Sequence, residues 1–308
     1  LRVATVDMLK GPKGKHMFEG AITALITPFH DDYSIDFEAL DKLVERQIEQ
    51  GIEGIVPCGS TGEAITMSLD ERCAVIERTI KTVNKRVPVI AGTGGSATAE
   101  VVEATRRALE LGADGALINT PAYNKPQQEG LYLHYAAVAK AVPELPVMLY
   151  NIPGRTAVLM ETATIERLCN DFPKVFVAYK DATANLKQTE ELLRKTDLTV
   201  LSGDDGLTLP MVALGGKGIV SVAGNLIPKQ VRELSDLARA GKLDEAAKAN
   251  HRNTPVVEAC FIESNPVPSK YGASLLGLCK PVARLPLAPI SERGKEAVQQ
   301  ALKGIGAI

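Results

Sequence analysis

A lysine at the end of an apolar run is the residue of this sequence best suited to covalent chemistry. The run Val175–Lys180 reads Val-Phe-Val-Ala-Tyr-Lys, which is typical of a buried strand. An ammonium group in that position lies at the edge of an apolar core, where desolvation lowers its pKa and releases a nucleophilic amine. Lys180 is therefore a candidate for forming a Schiff base with a keto acid. The alternative is a structural ion pair with Asp181 or another carboxylate.

Three further polar stretches follow apolar segments as Lys180 does. They are Gly59–Glu63 (Gly-Ser-Thr-Gly-Glu), Thr120–Asn124 (Thr-Pro-Ala-Tyr-Asn) and Tyr150–Thr156 (Tyr-Asn-Ile-Pro-Gly-Arg-Thr). The Ser60 and Thr61 hydroxyls, with adjacent backbone N–H groups, suit a carboxylate. Arg155 lies on a short loop, where a guanidinium can clamp a second carboxylate through two hydrogen bonds. Tyr150 alone is more typical of a core tyrosine, so the prediction of one shared pocket depends on the four stretches together.

The elements that would position these residues are strands that alternate with amphipathic helices. The predicted strands are Ala21–Thr27, Gly54–Cys58, Val87–Ala91, Gly115–Asn119, Val147–Asn151, Val175–Lys180, Leu198–Ser202 and Gly218–Val222. One helix exit recurs, with a first glycine as left-handed C-cap and a second glycine before the next strand, at Gln50–Ile55, Leu111–Ala116 and Leu214–Ile219.

Eight strand–helix units favour an α/β fold of the (β/α)8 TIM-barrel type with a C-terminal helical appendage. A doubly wound sheet is the alternative, but it should bring Gly-x-Gly-x-x-Gly after the first strand, where Thr27-Pro-Phe stands instead. In a barrel, the side chains at the carboxyl ends of the strands face the ligand.

The sequence divides into three parts. Residues 1–16 begin without Met and contain the basic stretch Gly11–Lys15, so they are predicted to be an extension, a tag remnant or the remnant of a targeting peptide. Residues 17–226 are the predicted catalytic barrel. Residues 227–308 are the predicted helical region, with helices at Lys229–Ala240, Leu243–Glu258, Pro268–Leu276 and Glu292–Lys303.

Composition argues against several classes of function. The 308 residues carry a net charge of −2, no tryptophan and no basic cluster, which argues against nucleic acid as a partner. No apolar run approaches the ~20 residues that span a bilayer, so no membrane partner is predicted. The five cysteines lack Cys-x-x-Cys spacing, which predicts free thiols in a reducing compartment, the cytoplasm or a plastid. None of the four histidines lies near a cysteine at ligand spacing, so no metal or other cofactor is predicted.

Five stretches resemble the dihydrodipicolinate synthase and N-acetylneuraminate lyase family of Schiff-base aldolases: Gly59–Glu63, Thr120–Asn124, Tyr150–Thr156, Tyr179–Thr183 and Ser202–Asp205. The resemblance includes the segment Asn265–Pro268. The resemblance runs from Met17 to near the C-terminus. At Arg155 and Thr156 the sequence resembles the dihydrodipicolinate synthases rather than the sialic acid lyases, which lack that arginine. The alternatives are another pyruvate aldolase of this fold, acting on N-acetylneuraminate, 2-keto-3-deoxygluconate or 4-hydroxy-2-oxoglutarate, and a non-catalytic barrel that binds keto acids.

The resemblance implies a reaction and a partner. Lys180 would form an imine with pyruvate, and the derived enamine would attack the aldehyde of aspartate 4-semialdehyde in the diaminopimelate route to lysine. The amine of that substrate would then displace Lys180 as a ring closes, without a cofactor. Tyr150 would be the general acid–base group, helped by a relay through Ser60 to Tyr123. Because this tyrosine enters from a neighbouring subunit in the family, a dimer or a dimer of dimers is implied.

The resemblance also implies how the substrates are bound. Thr61 would hold the pyruvate carboxylate, and Arg155 would hold the carboxylate of the aldehyde substrate. Gly203 and Val220 would line the pocket with backbone carbonyls.

The sequence departs from the pattern of the synthases in two ways. Ser60 stands where synthases usually have threonine and lyases have serine, and the missing methyl leaves its rotamer freer. Ala122 replaces a tyrosine that helps to bind lysine in feedback-inhibited members. Other positions of that regulatory cleft also differ, at Ala64, Ile65, Leu69, Arg72 and Ser96. Only Glu100 matches, so weak or absent inhibition by lysine is predicted.

Overall fold

Eight parallel strands form the centre of the part of the chain that the computed structural model describes, residues 10–11, 15–16 and 18–308. The strands are β1 Gly20–Ala24, β2 Gly54–Val56, β3 Ile90–Gly92, β4 Gly115–Asn119, β5 Val147–Asn151, β6 Phe176–Asp181, β7 Thr199–Ser202 and β8 Gly218–Ser221. Their order is β2-β1-β8-β7-β6-β5-β4-β3. A parallel bridge between Ile55 and Val89 joins the two ends into a ring. The predicted (β/α)8 barrel is confirmed.

Helices follow the strands on the outside of this ring. They are α1 Phe37–Glu49, α2 Leu69–Val83, α3 Thr98–Glu110, α4 Gln128–Ala141, α5 Pro153–Thr156, α6 Thr162–Asp171, α7 Leu186–Lys195 and α8 Thr208–Ala213. Local sequence sets where they begin: the Asp36 carboxylate accepts a hydrogen bond from the Ala39 N–H (2.9 Å), and Ser68 with Glu71 forms a capping box at α2. None of the described helices is long and apolar enough to cross a membrane.

Four helices follow β8 at the C-terminal end of the chain. They are α9 Pro228–Arg239, α10 Leu243–Cys260, α11 Val267–Leu275 and α12 Glu292–Gly304. Each of the four predicted helices is therefore present, with bounds that differ from the predicted ones by at most two residues. The helices α11 and α12 pack against each other, and α10 contacts both. The division into residues 17–226 and 227–308 stays a prediction, and most of the predicted extension 1–16 lies outside the described residues.

The predicted glycine repeat positions the start of each strand it precedes. Its first glycine has positive φ at each of the three exits, at Gly51, Gly112 and Gly215. The second glycine allows close packing of strands: a Cβ atom on Gly218 would lie 2.0 Å from the carbonyl oxygen of Gly20. These exits therefore need glycine both to end the helix and to begin the next strand.

Three strand ends differ from their predicted bounds by two or more residues, and the others differ by one residue at most. The strand β1 ends at Ala24 instead of Thr27, because the Asn225 side chain binds the Ala24 carbonyl (2.9 Å) and the Ile26 N–H (3.0 Å). The strand β2 ends before Pro57, which has no N–H for the ladder. The strand β3 begins at Ile90, because the Asp114 carboxylate accepts the Val89 N–H (2.8 Å).

The inside of the ring is an apolar cluster to which every strand contributes. The inward side chains are Ile22, Val56, Ile90, Leu117, Met148, Ala178, Leu201 and Val220, one from each strand in chain order. Phe18 and Tyr150 belong to the same cluster. The barrel is therefore a packed core, and polar chemistry is confined to the ends of the strands.

Candidate active site

Lys180 and Tyr150 meet at the carboxyl end of the barrel. The register of β5 and β6 pairs Tyr150 with Lys180 directly, so their side chains point to the same side of the sheet. Lys180 is 4% exposed and Tyr150 is 5% exposed. The Lys180 Nζ lies 4.2 Å from the centroid of the Tyr150 ring. The strand register thus brings the two predicted catalytic residues into contact.

The surroundings of Lys180 favour its neutral amine. Burial lowers its pKa to about 7; the Asp205 carboxylate opposes that shift, and the Arg155 guanidinium adds to it. Asp205 is itself buried, and accepts hydrogen bonds from the Ser221 hydroxyl and the Val222 N–H (2.9 Å). The carboxylate is thereby held away from an ion pair with the amine, which can be deprotonated near neutral pH.

The ion pair of Lys180 with Asp181, which the sequence left open, does not form. Asp181 points to the opposite side of β6 and accepts hydrogen bonds from the Thr183 N–H (3.0 Å), the Thr183 hydroxyl (2.7 Å) and the Thr189 hydroxyl (2.7 Å). Among residues 18–308, no carboxylate lies within ion-pair distance of Lys180. Lys180 is therefore a buried amine without a salt-bridge partner in the part of the chain that the structure describes.

Tyr150 is a phenol that stays protonated at neutral pH. Burial raises its pKa to about 12, while the positive charge of Arg155 and the hydroxyl of Ser60 lower it in part. The group can donate a proton or a hydrogen bond to an oxygen that reacts at Lys180. It needs a route for returning that proton, and Ser60 is the neighbouring hydroxyl.

Ser60 and Thr61 lie on a tight turn after β2. The Glu63 N–H donates to the Ser60 carbonyl (3.1 Å), and the Thr27 hydroxyl donates to the Gly62 carbonyl (2.7 Å). Ser60 is exposed and Thr61 is buried. The turn therefore presents the Ser60 hydroxyl beside Tyr150 at the barrel mouth and holds the Thr61 hydroxyl inside.

Arg155 lies on the short helix α5, where the sequence analysis predicted a loop; that prediction is wrong. Pro153 supplies the first residue of the helix, and the Ile152 carbonyl accepts the N–H groups of Arg155 and Thr156 (3.0 and 3.1 Å). The Thr156 hydroxyl also binds the Thr120 hydroxyl (2.9 Å). The helix fixes the exposed guanidinium close enough to lower the pKa of both Lys180 and Tyr150.

Asn265 connects two of the predicted binding residues, and sequence reasoning gave it no role. Its side-chain Nδ2 donates to the Thr61 hydroxyl (2.9 Å), and its backbone carbonyl oxygen accepts from the Arg155 guanidinium (3.1 Å). Asp205 was missed in the same way, although its stretch Ser-Gly-Asp-Asp was part of the resemblance. The only signal for either residue was membership of a quoted motif.

The remaining predicted residues fall into two groups. Val220 is part of β8, and its side chain lies in the barrel interior. Gly203 directly follows β7, and its N–H donates to the Asp181 carbonyl of β6 (2.6 Å). Tyr123, in contrast, is 95% exposed and has a positive φ of 76°. One chain therefore brings together Lys180, Tyr150 and the Ser60 turn, but it does not bring Tyr123 to them. Within residues 18–308, no three His, Cys, Asp or Glu side chains come together as metal ligands.

A closed barrel with a buried amine and phenol at the carboxyl ends of adjacent strands defines an enzyme of the class that reacts through a lysine Schiff base. The sequence profile described as the dihydrodipicolinate synthetase family matches residues 17–305. The chain belongs to this family.

Known relatives cover nearly the whole chain. The curated 4-hydroxy-tetrahydrodipicolinate synthase of Geobacter sp. (strain M21) is 51% identical over 90% of this chain and 94% of that protein. The crystal structure of chloride-inhibited dihydrodipicolinate synthase from Acinetobacter baumannii complexed with pyruvate is 43% identical, with a TM-score of 0.91 over 94% of this chain and 99% of that one. The crystal structure of DHDPS from Cyanidioschyzon merolae with lysine bound is 38% identical, with a TM-score of 0.92 over 96% and 100%.

Proposed function

We propose that this enzyme condenses pyruvate with aspartate 4-semialdehyde to give 4-hydroxy-tetrahydrodipicolinate, in the diaminopimelate route to lysine. The observation that carries the proposal is the unpaired, buried Lys180 against the ring of Tyr150. The Geobacter relative is named a 4-hydroxy-tetrahydrodipicolinate synthase, and the A. baumannii structure is a complex with pyruvate.

The first half of the reaction uses Lys180, Tyr150 and the Ser60 turn. The neutral Lys180 amine attacks the keto carbon of pyruvate, and the keto oxygen leaves as water after it receives two protons, one from the attacking nitrogen by way of Tyr150 and one from the Tyr150 phenol itself. The product is a protonated imine, which withdraws electrons so that the Tyr150 phenolate can take a methyl proton and an enamine forms. Thr61 and the turn N–H groups hold the pyruvate carboxylate.

The second half adds the aldehyde, whose carboxylate Arg155 binds. The enamine carbon attacks the aldehyde carbon, and Tyr150 supplies the proton that the new alkoxide requires. The amine of the second substrate then attacks the imine carbon, so that its bond to Lys180 breaks and a six-membered ring closes. The incoming nitrogen passes one proton to the Lys180 nitrogen, so that Lys180 leaves as a neutral amine, and it returns a second proton to the Tyr150 phenolate. The backbone carbonyls of Gly203 and Val220 face the bound substrates.

Tyr123 completes the proton relay from a second copy of the chain. Its 95% exposure and its lack of side-chain hydrogen bonds in the described part of the chain leave its hydroxyl available to another subunit. We propose a dimer as the active unit, assembled further into a tetramer. Co-expression of Tyr123→Phe with Lys180→Ala tests the dimer, because hybrids combine an intact lysine with a partner's intact tyrosine. Restored activity supports the dimer, and continued inactivity of purified hybrids contradicts it.

Borohydride reduction in the presence of pyruvate tests the site assignment. The expected result is a stable adduct on Lys180, located by mass mapping of peptides, and no adduct in the absence of pyruvate. A label on any other residue contradicts the assignment. Trapping at Lys180 without turnover of any aldehyde substrate would instead indicate a non-catalytic keto-acid-binding barrel.

A different pyruvate aldolase activity is the second candidate, and Ser60 is the residue that favours it. Steady-state kinetics with aspartate 4-semialdehyde, N-acetylneuraminate, 2-keto-3-deoxygluconate and 4-hydroxy-2-oxoglutarate separates the candidates. We expect the highest kcat/KM for aspartate 4-semialdehyde, because Arg155 can bind its carboxylate. A higher value for a sugar acid would contradict the proposal.

We propose that lysine inhibits this enzyme weakly or not at all, unlike an enzyme with a dedicated lysine site. Ile65 is 95% exposed, and Arg72 donates to the Gly92 carbonyl (3.1 Å) at the predicted regulatory cleft. The Arg72 guanidinium places a positive charge in the cleft, where it would repel the positive charge of a lysine ligand. Initial rates should therefore stay unchanged with millimolar lysine, and strong inhibition would contradict the proposal.

The five cysteines are free thiols, which supports our proposal that the enzyme works in the cytoplasm. A plastid would keep the same thiols reduced. Imaging of a fluorescent fusion in the native cell distinguishes the two locations.

A further inference from the structure

A second buried lysine contacts the turn that carries Ser60 and Thr61. Lys270 of α11 is 0% exposed, and its ammonium group forms an ion pair with the Glu63 carboxylate. The same nitrogen donates to the Val282 carbonyl (2.6 Å) and lies 4.0 Å from the centroid of the Phe29 ring. The Lys270 amine therefore contacts the Glu63 carboxylate, the Val282 carbonyl and the face of the Phe29 ring, all within the same chain.

Glu63 is the residue through which this contact reaches the turn. Its φ of +56° lies in a region that residues other than glycine rarely adopt, so the backbone here is strained and must be held by its surroundings. Its N–H closes the turn onto the Ser60 carbonyl (3.1 Å), and its second carboxylate oxygen accepts the Arg284 N–H (2.9 Å). The side chain of Glu63 is therefore fixed by the C-terminal region, while its backbone fixes Ser60.

The C-terminal region holds the same turn at two further points. Asn265 donates to the Thr61 hydroxyl, and the Arg284 guanidinium donates to the Thr66 carbonyl (2.9 Å) just after the turn. Arg284 also lies over Phe29, with 4.5 Å between its Cζ and the ring centroid. Three residues from outside the barrel strands thus contact the turn that carries the site hydroxyls: Asn265, Lys270 and Arg284.

A buried ion pair is seldom the most stable way to fill such a space, since apolar residues of similar volume often do as well or better. Its presence beneath a strained turn at the mouth of the site indicates a geometric role. We propose that Glu63 and Lys270 are positioning residues for the keto-acid subsite: their ion pair holds the turn so that Ser60 and Thr61 face a carboxylate bound near Lys180. The inference rests on the proposed function for the identity of that substrate as pyruvate.

The test uses the double variant Glu63→Gln/Lys270→Met, which removes both charges and so leaves no unpaired buried ion. Arg239→Gln is the matched control, because Arg239 pairs with Glu53 (3.1 Å) at the opposite end of the barrel. Pyruvate KM, aldehyde KM, kcat and the thermal midpoint are measured for each protein. The rate of borohydride trapping is also measured at low pyruvate, without the aldehyde.

We expect the double variant to raise pyruvate KM and to slow trapping by about ten- to a hundredfold, the size of effect that an ångström of misplacement produces. The aldehyde KM should stay within about twofold, because Arg155 does not contact the pair, and the control should keep the wild-type pyruvate KM. Unchanged pyruvate KM and trapping, with only a lower thermal midpoint, would overturn the inference and leave a purely structural pair.

Two single variants cover the case in which the double variant does not fold. Lys270→Arg keeps the cation beside Glu63 and should retain a pyruvate KM closer to wild type than Glu63→Gln does. Equal KM values for the two would overturn the inference. Wild-type protein that fails to trap pyruvate at Lys180 contradicts the proposed function instead, which separates the two failures.

Discussion

Residues 18–308 contain two buried lysines, Lys180 at the barrel mouth and Lys270 next to the Ser60 turn, and the two differ in the charged groups around them. Both are buried, and both amines lie about 4 Å from the centroid of an aromatic ring, 4.2 Å from that of Tyr150 and 4.0 Å from that of Phe29. Burial lowers the pKa of each. Lys270 is in contact with the Glu63 carboxylate. The carboxylate that acts on the pKa of Lys180 is that of Asp205, which accepts hydrogen bonds from other groups.

This difference teaches that burial alone does not make a lysine reactive. The Glu63 carboxylate forms an ion pair with Lys270 and opposes the lowering of its pKa by desolvation. Lys180 lacks that contact, so desolvation prevails and its pKa comes close to 7. The partner, more than the depth of burial, separates the nucleophile from the structural cation.

The largest expected effect is on Lys180 itself. Lys180→Ala should abolish turnover and pyruvate trapping, because no other described amine lies beside Tyr150 in the site. The fold should remain, since the substitution removes a buried polar group that has no ion-pair partner. Circular dichroism and thermal unfolding check the fold. Lys270→Met should still trap pyruvate on Lys180 when pyruvate is raised, and a variant that could not would erase the distinction between the two lysines.

The ring beside each lysine sharpens the same comparison. Tyr150→Phe gives Lys180 the kind of ring that Lys270 already has, and should reduce kcat by about 10²–10⁴-fold, the usual contribution of a positioned acid–base group. Tyr179→Phe is the control, because this buried hydroxyl accepts a hydrogen bond from Asn151 (2.9 Å) on the opposite side of the sheet. If both variants slowed turnover equally, the phenol of Tyr150 would have no special role.

The sequence predicts Lys180 as the reactive lysine because the patterns that indicate it involve only neighbouring residues. A short apolar run ending in Lys180, the capping box of Ser68 and Glu71, and the glycine exits each require only neighbouring residues. Once the strands are parallel and adjacent, their register brings Tyr150 to Lys180. The site beyond those strands could not be predicted in this way, because Asn265 contacts Thr61 across 204 residues of chain.

The role of Lys270 depends on the same long-range packing. Its helix α11 must dock against the turn before Glu63 becomes its partner, and no local pattern encodes that contact. The available signal was that Lys270 is the single charged residue in Val267–Leu275. A lone lysine in an otherwise uncharged helix indicates burial, but not the identity of its partner. Tyr123 illustrates a related limit, since its predicted partner belongs to another copy of the chain.

A stability measurement tests the structural half of the comparison. Lys270→Met leaves the Glu63 carboxylate buried without its cation, which should lower the free energy of unfolding by about 3–5 kcal/mol. Lys180→Met should change it much less, because no ion pair is broken. Urea unfolding of both variants at neutral pH gives the two values. Similar losses would mean that Lys180 has a stabilising partner after all.

The smallest expected effect is a shift in pH dependence, and it tests why Lys180 is reactive. Because only the neutral amine attacks pyruvate, the trapping rate should rise with pH through an inflection near the Lys180 pKa of about 7. The positive charge of Arg155 lowers that pKa, so Arg155→Gln should raise it and move the inflection to higher pH. Trapping with pyruvate alone avoids any effect of Arg155 on binding the aldehyde. Arg167→Gln, which alters an exposed arginine over the ring of Tyr132, should leave the inflection in place. An inflection that Arg155→Gln moves to lower pH, or leaves unchanged, would show that some other group sets the reactivity of the amine.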